Sequence, residues 1–235
     1  MKYFLTSSHC QPGSPLLSSE NGFAGVLKEA LGSQPLKMLF IASDPYNTEK
    51  TALYGGWEYD RFTDAGYTVE SFSVLDSRNA GKAAELVADS NFIILSGGHV
   101  PTQNRFFTEI NLKKHIGSFD GVILGISAGS MNSARTVYAR PELPGEATDP
   151  DYKRFISGLG ITDINIIPHY NMVKDDVLDG MKLFEDIVYP DSKGRQFVVI
   201  PDGSFIYGDG HSEKLYGEGF ILSDGVMAAV NNIII

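Results

Sequence analysis

Apolar runs of strand length recur along the chain, each closed by small or turn-forming residues: Tyr3–Leu5, Leu36–Ala42, Val69–Val74, Phe92–Leu95, Val122–Ile126, Ile164–Ile167 and Phe197–Ile200. They are rich in Ile, Val, Leu and Phe without strict polar alternation, the pattern of strands covered on both faces. Between most of them, apolar residues recur every three or four positions, which predicts helices over Gly22–Leu31, Glu49–Ala65, Ala80–Ala88, Gln103–Ile116, Ala128–Tyr138 and Lys174–Val188. This alternation predicts an α/β fold with a mostly parallel central sheet, helices on both faces, and functional groups at the carboxyl ends of the strands. After Phe197 the texture changes. Phe205–Tyr207, Lys214–Tyr216 and Gly219–Leu222 are short and separated by Gly-Asp-Gly, Gly-Glu-Gly and Ser-Asp-Gly turns, which predicts a C-terminal antiparallel extension. The stretch Arg140–Ser157, with three prolines and many charges, reads as a long loop able to line a site.

Nothing along the 235 residues marks a linker, so a single domain over residues 1–235 is expected. With 43% hydrophobic and 20% charged residues, the chain falls outside the disordered class. Its 19 basic against 29 acidic residues, a formal charge of −10, argue against nucleic acid or anionic membranes as partners. Cys10 is the sole cysteine, so neither an intrachain disulfide nor a cysteine-based zinc cluster can form, and a reducing cytoplasm suits it. No run approaches the roughly 18 apolar residues of a membrane span, and the first apolar run is too short for a signal-peptide core. Neither H-E-x-x-H nor G-x-x-x-x-G-K-[ST] occurs, and no metal or cofactor is expected.

The chemistry concentrates where apolar runs end. Asp120–Ser130 is an apolar strand running through Gly125-Ile126-Ser127-Ala128-Gly129 into a helical pattern. A serine at such an elbow projects its hydroxyl above the strand, and the helix that follows aims its first amides at the same spot. Serine needs a base to remove its proton. Of the five histidines, His169 is the best placed, because it follows Ile164–Pro168 at a strand end; His9, His99, His115 and His211 are weaker candidates. The base in turn needs a carboxylate to hold its tautomer. Asp202, after Phe197–Pro201, is favoured, with Glu142 and Asp149 of the long loop as alternatives. Ser96-Gly97-Gly98-His99 ends another strand in paired glycines, so the Gly98 and Ala128 amides form a candidate oxyanion hole.

These residues, taken together and in this order, resemble peptidase family S51, which includes peptidase E (aspartyl dipeptidase) and cyanophycinase. The resemblance is carried by the glycine turn Ser96–His99, the elbow Gly125–Gly129, Ile167-Pro168-His169-Tyr170 and Ile200-Pro201-Asp202-Gly203. It implies a three-layer α/β sandwich like that of class I glutamine amidotransferases, Ser127 as nucleophile, His169 as base, and Asp202 in a place usually held by glutamate. His99 and Tyr170 are implied substrate contacts, His99 standing where the dipeptidase has asparagine. Aspartyl specificity in the family goes with an arginine after the histidine, whereas residues 171–185 offer only Lys174 and Lys182. The expectation is a cytoplasmic serine peptidase, monomer or homodimer, acting on small peptides. The alternatives are an esterase or amidase of similar mechanism, and a non-catalytic binding or regulatory domain on the same scaffold.

Overall fold

The computed structural model describes residues 1–11 and 13–235. Its strands are β1 (Lys2–Thr6), β2 (Leu36–Ile41), β3 (Val69–Leu75), β4 (Phe92–Leu95), β5 (Val122–Ile126), β6 (Thr136–Tyr138), β7 (Phe155–Ser157), β8 (Asn165–Ile167), β9 (Val177–Leu178), β10 (Met181–Lys182), β11 (Gln196–Val199), β12 (Phe205–Gly208), β13 (Glu213–Tyr216), β14 (Glu218–Ser223) and β15 (Val226–Asn231). The helices are α1 (Phe23–Leu31), α2 (Thr48–Asp64), α3 (Ala83–Asp89), α4 (Val100–Glu109), α5 (Leu112–Ile116), α6 (Ala128–Asn132), α7 (Tyr170–Val173) and α8 (Tyr189–Asp191).

The central sheet runs β13-β12-β1-β5-β4-β2-β3. Strands β1 to β5 pair in parallel, and β12 and β13 extend the β1 edge antiparallel. Successive side chains of a strand point to opposite faces, and here both faces are apolar. Leu5, Leu39, Ile41, Ile93, Leu95 and Ile123 pack on one side with Val87, Val100, Phe106 and Met131 of the helices there. Phe4, Met38, Phe40, Phe92, Ile94 and Leu124 pack on the other with Phe23, Leu27 and Leu31 of α1 and Phe62 of α2. Each such side chain contributes about 1.5–3 kcal/mol of burial energy, which makes the three-layer arrangement the stable one.

Two of the seven apolar runs lie outside this sheet. Ile164–Ile167 and Phe197–Ile200 supply β8 and β11 of a second sheet, ordered β15-β14-β11-β8. One of its faces, with Ile166, Val198 and Ile200, packs into the first core; the other, with Ile167, Phe197 and Val199, covers Phe184, Ile187 and Val188. Apolarity marks a strand without naming its neighbour, and the antiparallel return of β12 already occupies the edge of β1.

Some helix boundaries also shift. The stretch Lys174–Val188 is not one helix. Asp179 and Gly180 both have positive φ (52° and 80°) and turn a β9–β10 hairpin, followed by a wide helical turn over Leu183–Val188. The predicted helix over 128–138 ends at Asn132, and Thr136–Tyr138 pairs with Phe155–Ser157 at the end of the long loop. The stretch 103–116 starts earlier, at Val100, and breaks before Asn111, whose φ is 52°. No helix among the described residues is long and apolar enough to cross a membrane.

Candidate active site

The carboxyl end of β1 organises the site. The Thr6 carbonyl accepts hydrogen bonds from the Ser127 amide (2.9 Å) and the Ser130 hydroxyl (2.8 Å). The Thr6 amide donates to Ser130 Oγ at 2.8 Å, and Thr6 Oγ1 donates to the Gly125 carbonyl at 2.8 Å. The next residue, Ser7, accepts the His169 amide at 3.0 Å and donates to the Ile200 carbonyl at 3.2 Å. Two consecutive residues, whose Cα atoms lie about 3.8 Å apart, thus hold the backbones of Ser127 and His169 and the strand end that leads to Asp202.

Ser127 sits at φ 49°, ψ −109°, outside the regions comfortable for a side chain, and its hydroxyl makes no capping bond to α6. His169 is also held at positive φ, 61°. Strain of this kind persists where the surroundings over-determine the backbone, and it clusters at functional sites. The flanking glycines are part of that determination. A Cβ on Gly125 would lie 2.8 Å from the Ser130 nitrogen, and one on Gly129 2.7 Å from the Leu95 carbonyl carbon of β4. Because β4 backbone cannot give way as a side chain end can, Gly129→Ala is expected to cost roughly 3 kcal/mol. Thermal denaturation should show a Tm about 6–12 °C lower; an unchanged Tm would contradict this packing.

His169 Nδ1 lies 2.7 Å from Asp202 Oδ1, so Nδ1–H donates to the carboxylate and Nε2 is left to accept a proton. The shorter aspartate reaches its histidine because Ile200 N bonds to Ile167 O and Tyr170 N to Ile200 O, drawing the two strand ends together. Of the alternative acids, Asp149 accepts the Asp151 amide in a local turn, and Glu142 faces Arg140 and His99. Ser127 and His169 are related through β1, with no direct hydrogen bond between them in this structure. Such bonds are commonly loose without substrate.

Gly97 and Gly98 form a turn wedged between Ser127 and Ser43. A Cβ on Gly97 would be 3.4 Å from that of Ser127, and one on Gly98 2.7 Å from that of Ser43. The turn is braced by Gln103 Nε2 donating to the Ser96 carbonyl (2.6 Å) and Ser43 Oγ to the Gly97 carbonyl (2.6 Å). The Gly98 amide has no acceptor among the described residues, and the Ala128 amide belongs to the first turn of α6, which has no intrahelical partner. The two candidate donors flank the Ser127 turn.

The long loop folds over this turn. His99 Nε2 pairs with Glu146 Oε1 (2.9 Å) and its Nδ1 with Thr102 Oγ1 (2.8 Å), so both ring nitrogens face protein partners. Glu146 Oε2 accepts the Glu142 and Leu143 amides, and Asp179 of the β9–β10 turn accepts those of Gly145 and Ala147. Burial pushes the Glu142 carboxyl above its usual range, against the pull of Arg140 and His99. Tyr170 packs on Phe220 (4.7 Å between ring centroids) and edge-on to Phe184 (5.4 Å). Among the described residues no three His, Cys, Asp or Glu side chains are grouped to hold a metal ion.

The family profile for peptidase family S51 matches residues 10–216, most of the chain. The chain belongs to peptidase family S51. Among solved structures, a protein assigned as a peptidase E from Listeria monocytogenes EGD-e is similar in fold, with a TM-score of 0.62 over 91% of this chain and 96% of that one, at 16% identity. Among curated proteins no significant match is found.

Within this S51 chain none of the remaining histidines hydrogen-bonds Ser127 among the described residues. His115 is near the end of α5, and His211 is exposed in the turn between β12 and β13. His9 is buried, with Nε2 2.8 Å from Glu58 Oε2; Arg61 contacts both residues. Burial alone would push the imidazole pKa down, but the Glu58 charge and the Cys10 contact lift it to about 9. A histidine held above its unfolded value of about 6.5 stabilises fully below that pH, and the contribution is lost as pH rises through the folded value. Denaturant unfolding should therefore show stability falling between about pH 6.5 and 9, and Glu58→Gln should flatten the dependence.

Proposed function

We propose that this S51 member hydrolyses dipeptides or other small peptides through an acyl-enzyme. What carries the reading is one short stretch at the end of β1, Thr6–Ser7, holding a strained serine elbow and a His169–Asp202 pair. Ser127 Oγ attacks the scissile carbonyl carbon while His169 Nε2 takes its proton, and the Gly98 and Ala128 amides receive the oxyanion. The carbon–nitrogen bond then breaks, with the leaving amine taking the proton from His169. Water, deprotonated by the same nitrogen, attacks the ester carbonyl and releases Ser127. An alkyl fluorophosphonate should label the folded protein at Ser127 in a peptide-mapping experiment. Folded protein that stays unlabelled argues for a binding role on this scaffold. Comparing dipeptides with short acyl esters separates a peptidase from an esterase. We assign the activity to the cytoplasm, where an unpaired cysteine such as Cys10 stays reduced.

One observation favours an acidic first residue. Lys174 and Lys182 are exposed, but Arg140, buried, paired through one terminal nitrogen with Glu142 at 3.6 Å and with Nε unpartnered, lines a cavity of about 230 Å³ shared with Glu142, Val173, Asp176 and Leu178 just after His169. A substrate carboxylate that takes the place of Glu142 on this guanidinium gains a two-pronged partner that a lysine lacks. Arg140→Met is expected to raise KM for Asp-Leu about tenfold while leaving Ala-Leu within about twofold. Equal effects on both peptides would remove Arg140 from substrate selection.

A further inference from the structure

The Gly97–Gly98 turn also borders a second cavity, of about 310 Å³, lined by Ser43 on the Gly98 side. Phe40, Tyr54 and Leu143 give it an apolar wall. Most polar groups around it are already satisfied within the protein. Ser43 Oγ donates to the Gly97 carbonyl, Thr51 Oγ1 to the Asp44 carbonyl, and His99 bonds Thr102 and Glu146. Two charges remain. Asp44, half-buried, and Lys50, exposed at the rim, are both lining residues, yet neither forms an ion pair, with the other or with any further group among the described residues. Lys50 Nζ stands 5.6 Å from the centre of the Tyr54 ring. Ser96 Oγ, also in the lining residues, is buried without a partner.

One unpaired anion, one unpaired cation and an apolar wall complement a zwitterionic α-amino acid with an apolar side chain. We infer that this cavity is the subsite for the amino acid released from the carboxyl side of the cleaved bond, with Lys50 holding its carboxylate and Asp44 the ammonium that cleavage creates. The inference rests on the hydrolytic reading of Ser127. In an intact dipeptide only the second residue has a free main-chain carboxylate, so a lysine aimed at that group recognises the leaving side. The volume, about 310 Å³, sits at the small end of ligand pockets and accommodates a single amino acid. Because Gly97 and Gly98 line the cavity, a residue leaving the scissile carbonyl on Gly98 has the cavity next to it.

The test uses free L-leucine and L-leucinamide as probes of the full chain. Trp57, the sole tryptophan, lies 5.1 Å from Tyr54 between ring centroids, so its fluorescence reports occupancy, and slowed fluorophosphonate labelling of Ser127 reports it independently. Leucine is expected to bind roughly tenfold more tightly than leucinamide, and Lys50→Met should erase that difference. The subsite is overturned if neither readout detects leucine up to roughly 50 mM, if leucinamide binds as well, or if Lys50→Met leaves the preference intact. Labelling that leucine does not slow counts against the subsite alone. Leucine binding to a protein that the fluorophosphonate never labels counts against the hydrolytic reading alone.

Discussion

Ser127→Ala is expected to lower kcat for a cleaved dipeptide by on the order of 10⁶, the loss seen when a hydrolase nucleophile is removed, while the fold stays intact. The expectation of an undamaged fold comes from the local geometry. Ser127 Oγ makes no capping bond to α6, and the contacts that fix residue 127 are made by its backbone: its amide to Thr6, its carbonyl to Met131. Alanine keeps both. It also experiences the same φ of 49°, so the strain is unchanged and stability should stay within about 0.5 kcal/mol of wild type. A serine needed merely to start the helix would give the opposite pattern, with activity retained and melting temperature lowered. Steady-state kinetics and thermal denaturation on one preparation separate the two. Hydrolysis above about one hundredth of wild type would mean that another group carries the attack.

The strand, turn and helix around Ser127 are legible in the sequence because the three patterns are contiguous. The placement of His169 and Asp202 at strand ends is legible for a similar reason, since both are polar residues closing apolar runs. What ties them together is not. The Thr6–Ser7 clamp joins residues more than a hundred positions apart, and its sequence trace is a short Thr-Ser-Ser run after an apolar strand. The second sheet escaped for a related reason. β8 and β11 are as apolar as the central strands, and pairing depends on which edges remain free. The misread helix over Lys174–Val188 carried its own warning, since Asp179-Gly180 is a hairpin signal, but apolar spacing outweighed it. His99 illustrates a different limit. Its position beside the glycine turn was evident, whereas the carboxylate that meets it comes from Glu146, on a loop whose path follows from the Asp179 turn and the β6–β7 pairing. A contact set by three separate elements has no local signature.

Asp202→Asn is expected to lower kcat by about 10⁴, through the tautomer of His169 and not through its position. The His169 backbone is held by Ser7, and the Asp202 segment by the Ile200 amide bonded to Ile167 and the Ile200 carbonyl that accepts from Tyr170. Neither constraint involves the carboxylate, so asparagine occupies the same place with nearly the same volume. The carboxylate accepts only, which forces the proton onto Nδ1 and leaves Nε2 as the base. A carboxamide can turn its NH₂ toward Nδ1, which puts the ring proton on Nε2, where it blocks uptake of the Ser127 proton. Because Asp202 has no role in holding substrate in this scheme, KM should change little. Activity within about tenfold of wild type would transfer the orienting role to another acid. Glu142 and Asp149 are poor substitutes, since the first is turned toward Arg140 and the second closes a turn with Asp151. The pairing with His169 at 2.7 Å is therefore the feature on which the kinetic outcome depends.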